Sequence, residues 1–188
     1  PMTPRHHALR ELLAAYEPSA SNEAQHLASI FELLSTRPTA FDRSEYQPGH
    51  ITASAFVVHP RKPAAALVNH AKIGRWLQPG GHVEPDDTDI ESAARREVTE
   101  EIGIEALSSF GVMDVDVHVF PQREDQPEHL HLDVRIGFLA HTDRLVDGEE
   151  SNGVRWAAFA EMLEMEESLA RPASRLEAMN SAGTLRAI

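Results

Sequence analysis

Three glutamates, Glu97, Glu100 and Glu101, stand at positions i, i+3 and i+4 just before Gly103. On a helix these spacings put the side chains on neighbouring parts of one surface. They also fall in the last turn, where the helix dipole already disfavours negative charge. Stability alone does not account for three acids there. A compensating cation is required, and a divalent metal ion is the natural candidate. No other stretch of the chain fixes an element, its end and its chemistry so closely.

The flanking residues delimit that helix. Thr88-x-x-Glu91 reads as a capping box, which makes Thr88 the expected N-cap. Pro85 and the Asp86-Asp87 pair form a turn before it, and Gly103 sits where a glycine ends a helix. Between these signals Ile90, Ala94, Val98 and Ile102 recur every four residues as an apolar stripe that packs on a core. The competing reading is a solvated acidic face paired with Arg95 and Arg96. The placement of the acids at the helix tail, and the Gly80-Gly81 turn upstream, favour the metal.

Residues 81–104 resemble the signature box of the Nudix hydrolases, Gly-x5-Glu-x7-Arg-Glu-U-x-Glu-Glu-x-Gly-U, where U is a bulky aliphatic residue. Gly81 matches the first glycine, and Arg96, Glu97, Val98, Glu100, Glu101, Gly103 and Ile104 match the second half. Asp87 stands where the first glutamate of the pattern falls, and the first half is one residue longer than the pattern. The segment from Trp76 to Glu84 resembles the strand and loop that lead into the box. Val154-Arg155-Trp156 and the acidic segment after it resemble the family's late strand and C-terminal helix, so the resemblance covers about residues 50–170. It implies Mg²⁺ or Mn²⁺ held by Glu97, Glu100 and Glu101, one of which doubles as the base. It also implies a backbone carbonyl of Gly80 or Gly81 as a further ligand, and Arg96 orienting a neighbouring carboxylate. The implied reaction is water attack on a nucleoside diphosphate linked to another group.

Outside the box, helical spacing of Leu9, Leu12, Leu13 and Tyr16, and of Leu27, Ile30, Phe31 and Leu34, predicts a helical hairpin over 5–17 and 22–35. Strands are expected at Ile51–His59, Ala64–His70, Val112–Phe120, His129–Ala140 and Val154–Ala158, with helices near 160–169 and 172–180. Along Val112–Phe120 the residues Asp114, Asp116 and His118 share one face, expected to be polar, and Met113, Val115 and Val117 the other, expected to be buried. The expected fold class is α/β, a Nudix-type α/β/α sandwich with a mixed sheet plus the N-terminal helical hairpin. The expected division is an N-terminal helical extension, 1–48, and a Nudix domain, 49–188. Such an extension serves as a packing lid, a substrate gate or a dimer element, so a homodimer is one expectation it raises.

Composition narrows the partners. The 188 residues carry 30 acidic against 17 basic side chains, a net charge of −13. Phosphate-backbone binding needs a basic footprint, so no nucleic-acid partner is expected. A small anionic nucleotide-type substrate fits if cations gather locally. No apolar run approaches the ~20 residues of a membrane span, and no signal-peptide pattern opens the sequence. The chain has no cysteine, which removes thiolate metal sites and cysteine nucleophiles, and a cytoplasmic location is the expectation.

Further candidates are ordered by chemistry. Lys72 and Arg75 are the nearest cations for substrate phosphate, and His82 either contacts phosphate or steadies the turn. For the additional acid that the family places outside its box, Glu128 is the first candidate, with Glu124, Asp125, Glu149 and Glu150 as rivals. His129, His131 and Asp133 alternate on one strand and so share a face, which admits a zinc reading or a polar strand facing the cleft. Substrates consistent with the resemblance include ADP-ribose, a nucleotide sugar and a nucleoside triphosphate. A non-catalytic nucleotide sensor on the same fold is the alternative, and loss of a box glutamate would favour it. An isomerase acting on a prenyl diphosphate is disfavoured by the absence of cysteine.

Overall fold

A computed structural model describes residues 2–149 and 151–188; the candidate acid Glu150 lies outside them. Two N-terminal helices, α1 (Pro4–Ala14) and α2 (Ser21–Thr36), form the expected hairpin. Leu9, Leu13, Ile30, Leu33 and Leu34 from this pair are buried in the same core cluster as the acidic helix. α1 stops before Tyr16, whose hydroxyl donates to the fully buried Glu23. Glu23 also accepts from the Ser19 backbone N–H at 2.5 Å and from its hydroxyl at 2.9 Å. Arg175 lies 3.4 Å from the same carboxylate, so an ion pair joins the hairpin to the C-terminal helix.

The sheet comprises β1 (Gly49–Val58), β2 (Ala64–His70), β3 (Arg75–Leu77), β4 (Gly80–His82), β5 (Leu107–Phe120), β6 (His129–Ala140) and β7 (Ser151–Ala158). Its order is β3-β2-β1-β6-β5, with β4 paired to β1 and β7 to β2. β1 and β6 run parallel and the other pairs antiparallel, so the sheet is mixed. β1 is buried along its whole length because both of its faces are covered. Ile51, Ala53, Ala55 and Val57 pack with α1, α2 and α3 (Ile90–Ile102), while Phe56 and Val58 pack with α4 (Phe159–Met162) and α5 (Glu167–Ser181). The three layers of the expected sandwich are therefore present.

Several boundaries differ from expectation for local reasons. α3 is capped by Asp89, not Thr88: its carboxylate accepts from the Ser92 N–H at 2.7 Å, and the Ser92 hydroxyl returns a bond from the Asp89 N–H at 3.0 Å. Serine thus performs the role that Glu91 was expected to play, and Glu91 instead binds Arg95. Gly103 ends α3 in the left-handed conformation, φ 70°, as its position predicted. β5 begins at Leu107, ahead of the expected Val112, and irregularities at Ser109/Gly111 and Val112/Asp114 interrupt the alternation that would have revealed that start.

The C-terminal break falls at 163–166, and α5 runs through Pro172. Proline has no N–H to bond the Ser168 carbonyl one turn back. That carbonyl instead accepts from the buried Arg135 guanidinium at 2.8 Å. Arg135 also binds Asp133 at 2.9 Å, Asp114 at 2.9 Å and Asp116 at 3.1 Å, and Arg171 of α5 joins Asp114 at 2.8 Å. The Asp114-Asp116 face of β5, expected to be merely polar, is therefore buried against α5. Burial raises Asp116, but the His118 hydrogen bond and the charge of Arg135 outweigh it and hold its carboxyl below the usual range.

Candidate active site

β4 carries the glycine pair to the acidic helix. It lies antiparallel to β1 with Gly80 opposite Ser54, Gly81 opposite Ala53 and His82 opposite Thr52. Both glycines are required by close approach rather than by backbone angle. A Cβ at Gly80 would lie 2.2 Å from the Ser54 Cβ, and one at Gly81 would lie 2.6 Å from Oε1 of Glu97. The Glu97 carboxylate is thus seated directly on the Gly81 backbone. The neighbouring Gly80 N–H donates to Oε2 of Glu101 at 2.8 Å. Successive residues of a strand face opposite sides, so Gly81 faces α3 while the His82 ring projects from the other face.

Arg96 organises the acids. It donates to Oε1 of Glu97 at 2.8 Å and to Oε2 of Glu100 at 3.2 Å. Its other edge makes a bidentate pair with Asp87, at 3.1 and 3.0 Å, and donates to the His82 carbonyl at 2.8 Å. Asp87 also accepts from the Glu84 N–H at 2.8 Å. The departure from the family pattern at Asp87 therefore resolves into an anchor between the box loop and the helix. Burial opposes that anchor, but the Arg96 hydrogen bonds and the Glu84 N–H hold the Asp87 carboxyl below its usual range. Arg5 of α1 reaches the carbonyls of Pro85 and Asp87, so the hairpin touches the same loop.

Glu97 behaves differently. Its side chain is 13% exposed, and burial pushes its carboxyl above the usual range against the pull of Arg96, with the Glu100 charge adding to the rise. Among the described residues, Arg96 is the arginine that bonds Glu97 and Glu100, and the raised Glu97 carboxyl marks a place where negative charge is costly to hold. A divalent cation would offset that charge. Carboxylate oxygens and a backbone carbonyl are hard donors suited to Mg²⁺ or Mn²⁺, and the cradle at Gly81 admits the Glu97 carboxylate only because no side chain fills it. The residues present therefore fit the ion.

A loop seals the tail of α3. The Val146 N–H donates to the Ile102 carbonyl at 3.0 Å and the Gly148 N–H to the Glu101 carbonyl at 3.1 Å. These bonds satisfy carbonyls that a helix end leaves open. Glu149 directly follows this contact and is exposed. Glu128 is exposed one residue before β6, and no hydrogen bond or ion pair among the described residues joins it to the box. Glu124 and Asp125 are exposed in the turn between Arg123 and Gln126.

The cations expected to receive phosphate are placed unevenly. Lys72 is exposed in the β2–β3 turn, its N–H donating to the His70 ring at 3.3 Å. Arg75 pairs with Glu166 at the start of α5, lining a shallow cleft of about 360 Å³ with Trp76, Met165 and Leu169. His82 lies against other histidines, its ring 5.0 Å from that of His50 and 5.5 Å from that of His131. Asp133 does not join His129 and His131 as a third ligand, since Thr52, Ser54 and Arg135 occupy its oxygens at 3.0, 2.6 and 2.9 Å. His50 was not singled out by sequence, because its position opposite His131 depends on a parallel pairing between strands distant in the chain.

Comparison with known proteins agrees with this fold. The NUDIX domain family matches residues 48–176. A Bacillus subtilis (strain 168) protein named as a candidate 8-oxo-dGTP diphosphatase is 32% identical over 108 residues, which cover 57% of this chain and 66% of that relative, just under two thirds of its length. A NUDIX-family hydrolase from Clostridium perfringens superposes with a TM-score of 0.52 at 20% identity, covering 69% of this chain and 97% of its own. The NUDIX domain of Shewanella oneidensis NrtR, solved with ADP-ribose, superposes with a TM-score of 0.50 at 17% identity, covering 80% of this chain and 96% of its own.

Proposed function

This chain belongs to the Nudix family, and from that premise we propose that it is a divalent-metal-dependent pyrophosphohydrolase acting on a nucleoside diphosphate linked to another group. The observation that carries the proposal is the seating of Glu97 on Gly81 with Glu100 and Glu101 beside it, tied to the loop by Arg96 and the Gly80 N–H. When bound, Mg²⁺ or Mn²⁺ neutralises charge on the phosphate oxygens and lowers the pKa of water. Glu97, Glu100 and Glu101 hold that ion, and Arg96 positions two of them. A water oxygen attacks one phosphorus as the bond from that phosphorus to the bridging oxygen breaks. A carboxylate accepts the water proton, and two phosphate products leave. Glu128 is the first candidate for an additional acid serving as base, with Glu124, Asp125, Glu149 and Glu150 as its rivals. Lys72 remains in the proposed substrate set with Arg75, which must exchange Glu166 for phosphate to take part; His82, whose ring turns to His50 and His131 on the face away from the glutamates, leaves that set.

The substrate panel follows from the chemistry and the relatives: 8-oxo-dGTP, ADP-ribose, a nucleotide sugar and a dinucleoside polyphosphate, each with Mg²⁺ or Mn²⁺. Turnover of at least one compound is expected, abolished by chelation and by Glu100→Gln or Glu101→Gln. Glu128→Gln and Glu149→Gln assign the base through the acidic limb of the pH–rate profile. Tight ligand binding with no turnover of any compound would instead make the protein a nucleotide sensor.

Gly81→Ala tests the cradle without removing a ligand. Its methyl would meet the Glu97 carboxylate and displace it. The expected result is a loss of activity of about 100-fold, equivalent to roughly 2.7 kcal/mol of transition-state stabilisation, with a raised Mg²⁺ requirement and an unchanged circular dichroism spectrum. Wild-type kinetics in Gly81→Ala would show that the carboxylate position is immaterial.

A further inference from the structure

The face of the sheet opposite the box helix carries a second cluster that the hydrolase chemistry does not use. His50 of β1, His82 of β4 and His131 of β6 each present a ring nitrogen, and these atoms lie within 4.8 Å of one another. The strand register explains the convergence. His50 stands opposite His131, and His82 stands opposite Thr52 on the other side of β1. Ring centroids are 4.9 Å apart for His50 and His131 and 5.0 Å for His50 and His82.

Two features distinguish this group from packed core histidines. His50 is 1% exposed, and its Nδ1 lies 3.1 Å from the Glu45 carbonyl. That contact fixes the proton on Nδ1 and turns the lone pair of Nε2 into the cluster, the arrangement that orients histidine as a metal ligand. Yet Nε2 of His50 and Nε2 of His131 are buried with no hydrogen-bond partner among the described residues, although buried polar atoms nearly always have one. His129 at the rim repeats the pattern. Its Nδ1 lies 2.8 Å from the Pro127 carbonyl, and its Nε2 has no partner among the described residues.

We propose that His50, His82 and His131 form a zinc site with three imidazole ligands and an open fourth position, separate from the glutamate site. Neutral imidazole suits Zn²⁺ as it does not suit Mg²⁺. Burial lowers His50, holds His82 at about 4 and holds His131 at about 2, so all three are neutral near pH 7. Zn–N bonds of about 2.0–2.1 Å bring tetrahedral nitrogens to ~3.3 Å separation, so the rings close inward on binding. The ion clips three strands together. One of them is β4, whose His82 carbonyl is held by Arg96, so zinc steadies the strand on which the glutamates rest.

The test is zinc binding by untagged full-length protein in saturating Mg²⁺, read by competition with a chromophoric chelator and by X-ray absorption at the zinc edge. One equivalent is expected, with three nitrogen scatterers at about 2.0–2.1 Å. His131→Gln, at a half-buried position, is expected to weaken binding roughly 100-fold or more, and His50→Gln likewise, with circular dichroism confirming that each variant is folded. Zinc should raise the Tm of the wild type and not of His131→Gln. Glu97→Gln/Glu101→Gln should bind zinc as the wild type does, even if no nucleotide is ever turned over. Failure of the wild type to bind zinc overturns the proposal. So does an oxygen-only coordination shell, or affinity lost with the glutamates and retained in folded His131→Gln.

Discussion

Glu97→Gln is expected to give a protein that melts higher than the wild type in the absence of metal and has lost most of its activity. The Glu97 carboxyl is held above its unfolded value by burial. A group raised in this way contributes stability while it stays protonated, below its unfolded pKa, and that contribution is lost as pH rises through the folded value. Wherever the carboxylate is ionised, it therefore works against folding in the metal-free state. Glutamine keeps the shape and still accepts from Arg96, but carries no charge to desolvate. Calorimetry in chelator should show a higher Tm for Glu97→Gln near pH 7, with the difference shrinking as pH falls towards 4. Adding Mg²⁺ should raise the wild type and leave the variant nearly unchanged. Removing one metal ligand should cost about 10²–10³ in kcat/KM, or roughly 2.7–4 kcal/mol. A lower Tm together with retained turnover would remove Glu97 from the metal site.

Arg135→Met should be the most damaging single change away from the box. It would leave Asp114, Asp116 and Asp133 buried with Arg171 as the remaining arginine among them. It would also return the Ser168 carbonyl to a helix in which Pro172 cannot bond it. Breaking a buried pair by removing one partner costs about 3–5 kcal/mol, a large share of the 5–15 kcal/mol that about describes a whole domain. For a chain of this size that corresponds to a Tm lower by roughly 6–20 °C. Urea titration of Arg135→Met against Arg135→Met/Asp133→Asn separates lost packing from stranded charge. The double variant should recover part of the midpoint. No recovery would mean that the guanidinium matters through its bulk alone.

The box helix was legible because its stripe, its acids and its terminal glycine depend on spacing within one short segment. Thr88 was misread as the cap because Asp89-x-x-Ser92 offers the same reciprocal bonds one residue later. The hairpin and the principal strands followed from periodicity, while the start of β5 was hidden by its irregularities. The buried arginine network was not legible. Asp114, Asp116 and Arg135 look like an exposed polar face until α5 covers them, and nothing local in the sequence announces that cover. His50 was invisible for a related reason. Its alignment with His131 comes from a parallel pair separated by 81 positions in the register His50↔His131, and no local pattern encodes that distance.

The strap from Leu145 to Gly148 has a consequence for ion affinity. By donating to the Ile102 and Glu101 carbonyls, it quiets the negative pole of the helix whose final turn bears the acid trio. If the strap lifts, those oxygens point unshielded towards the same cluster, and the pull on a dication grows while the empty protein becomes harder to hold together. Changes in strap length or rigidity would therefore alter the field felt by the acid trio from outside it, giving natural variation and engineering a dial that leaves all three carboxylates in place.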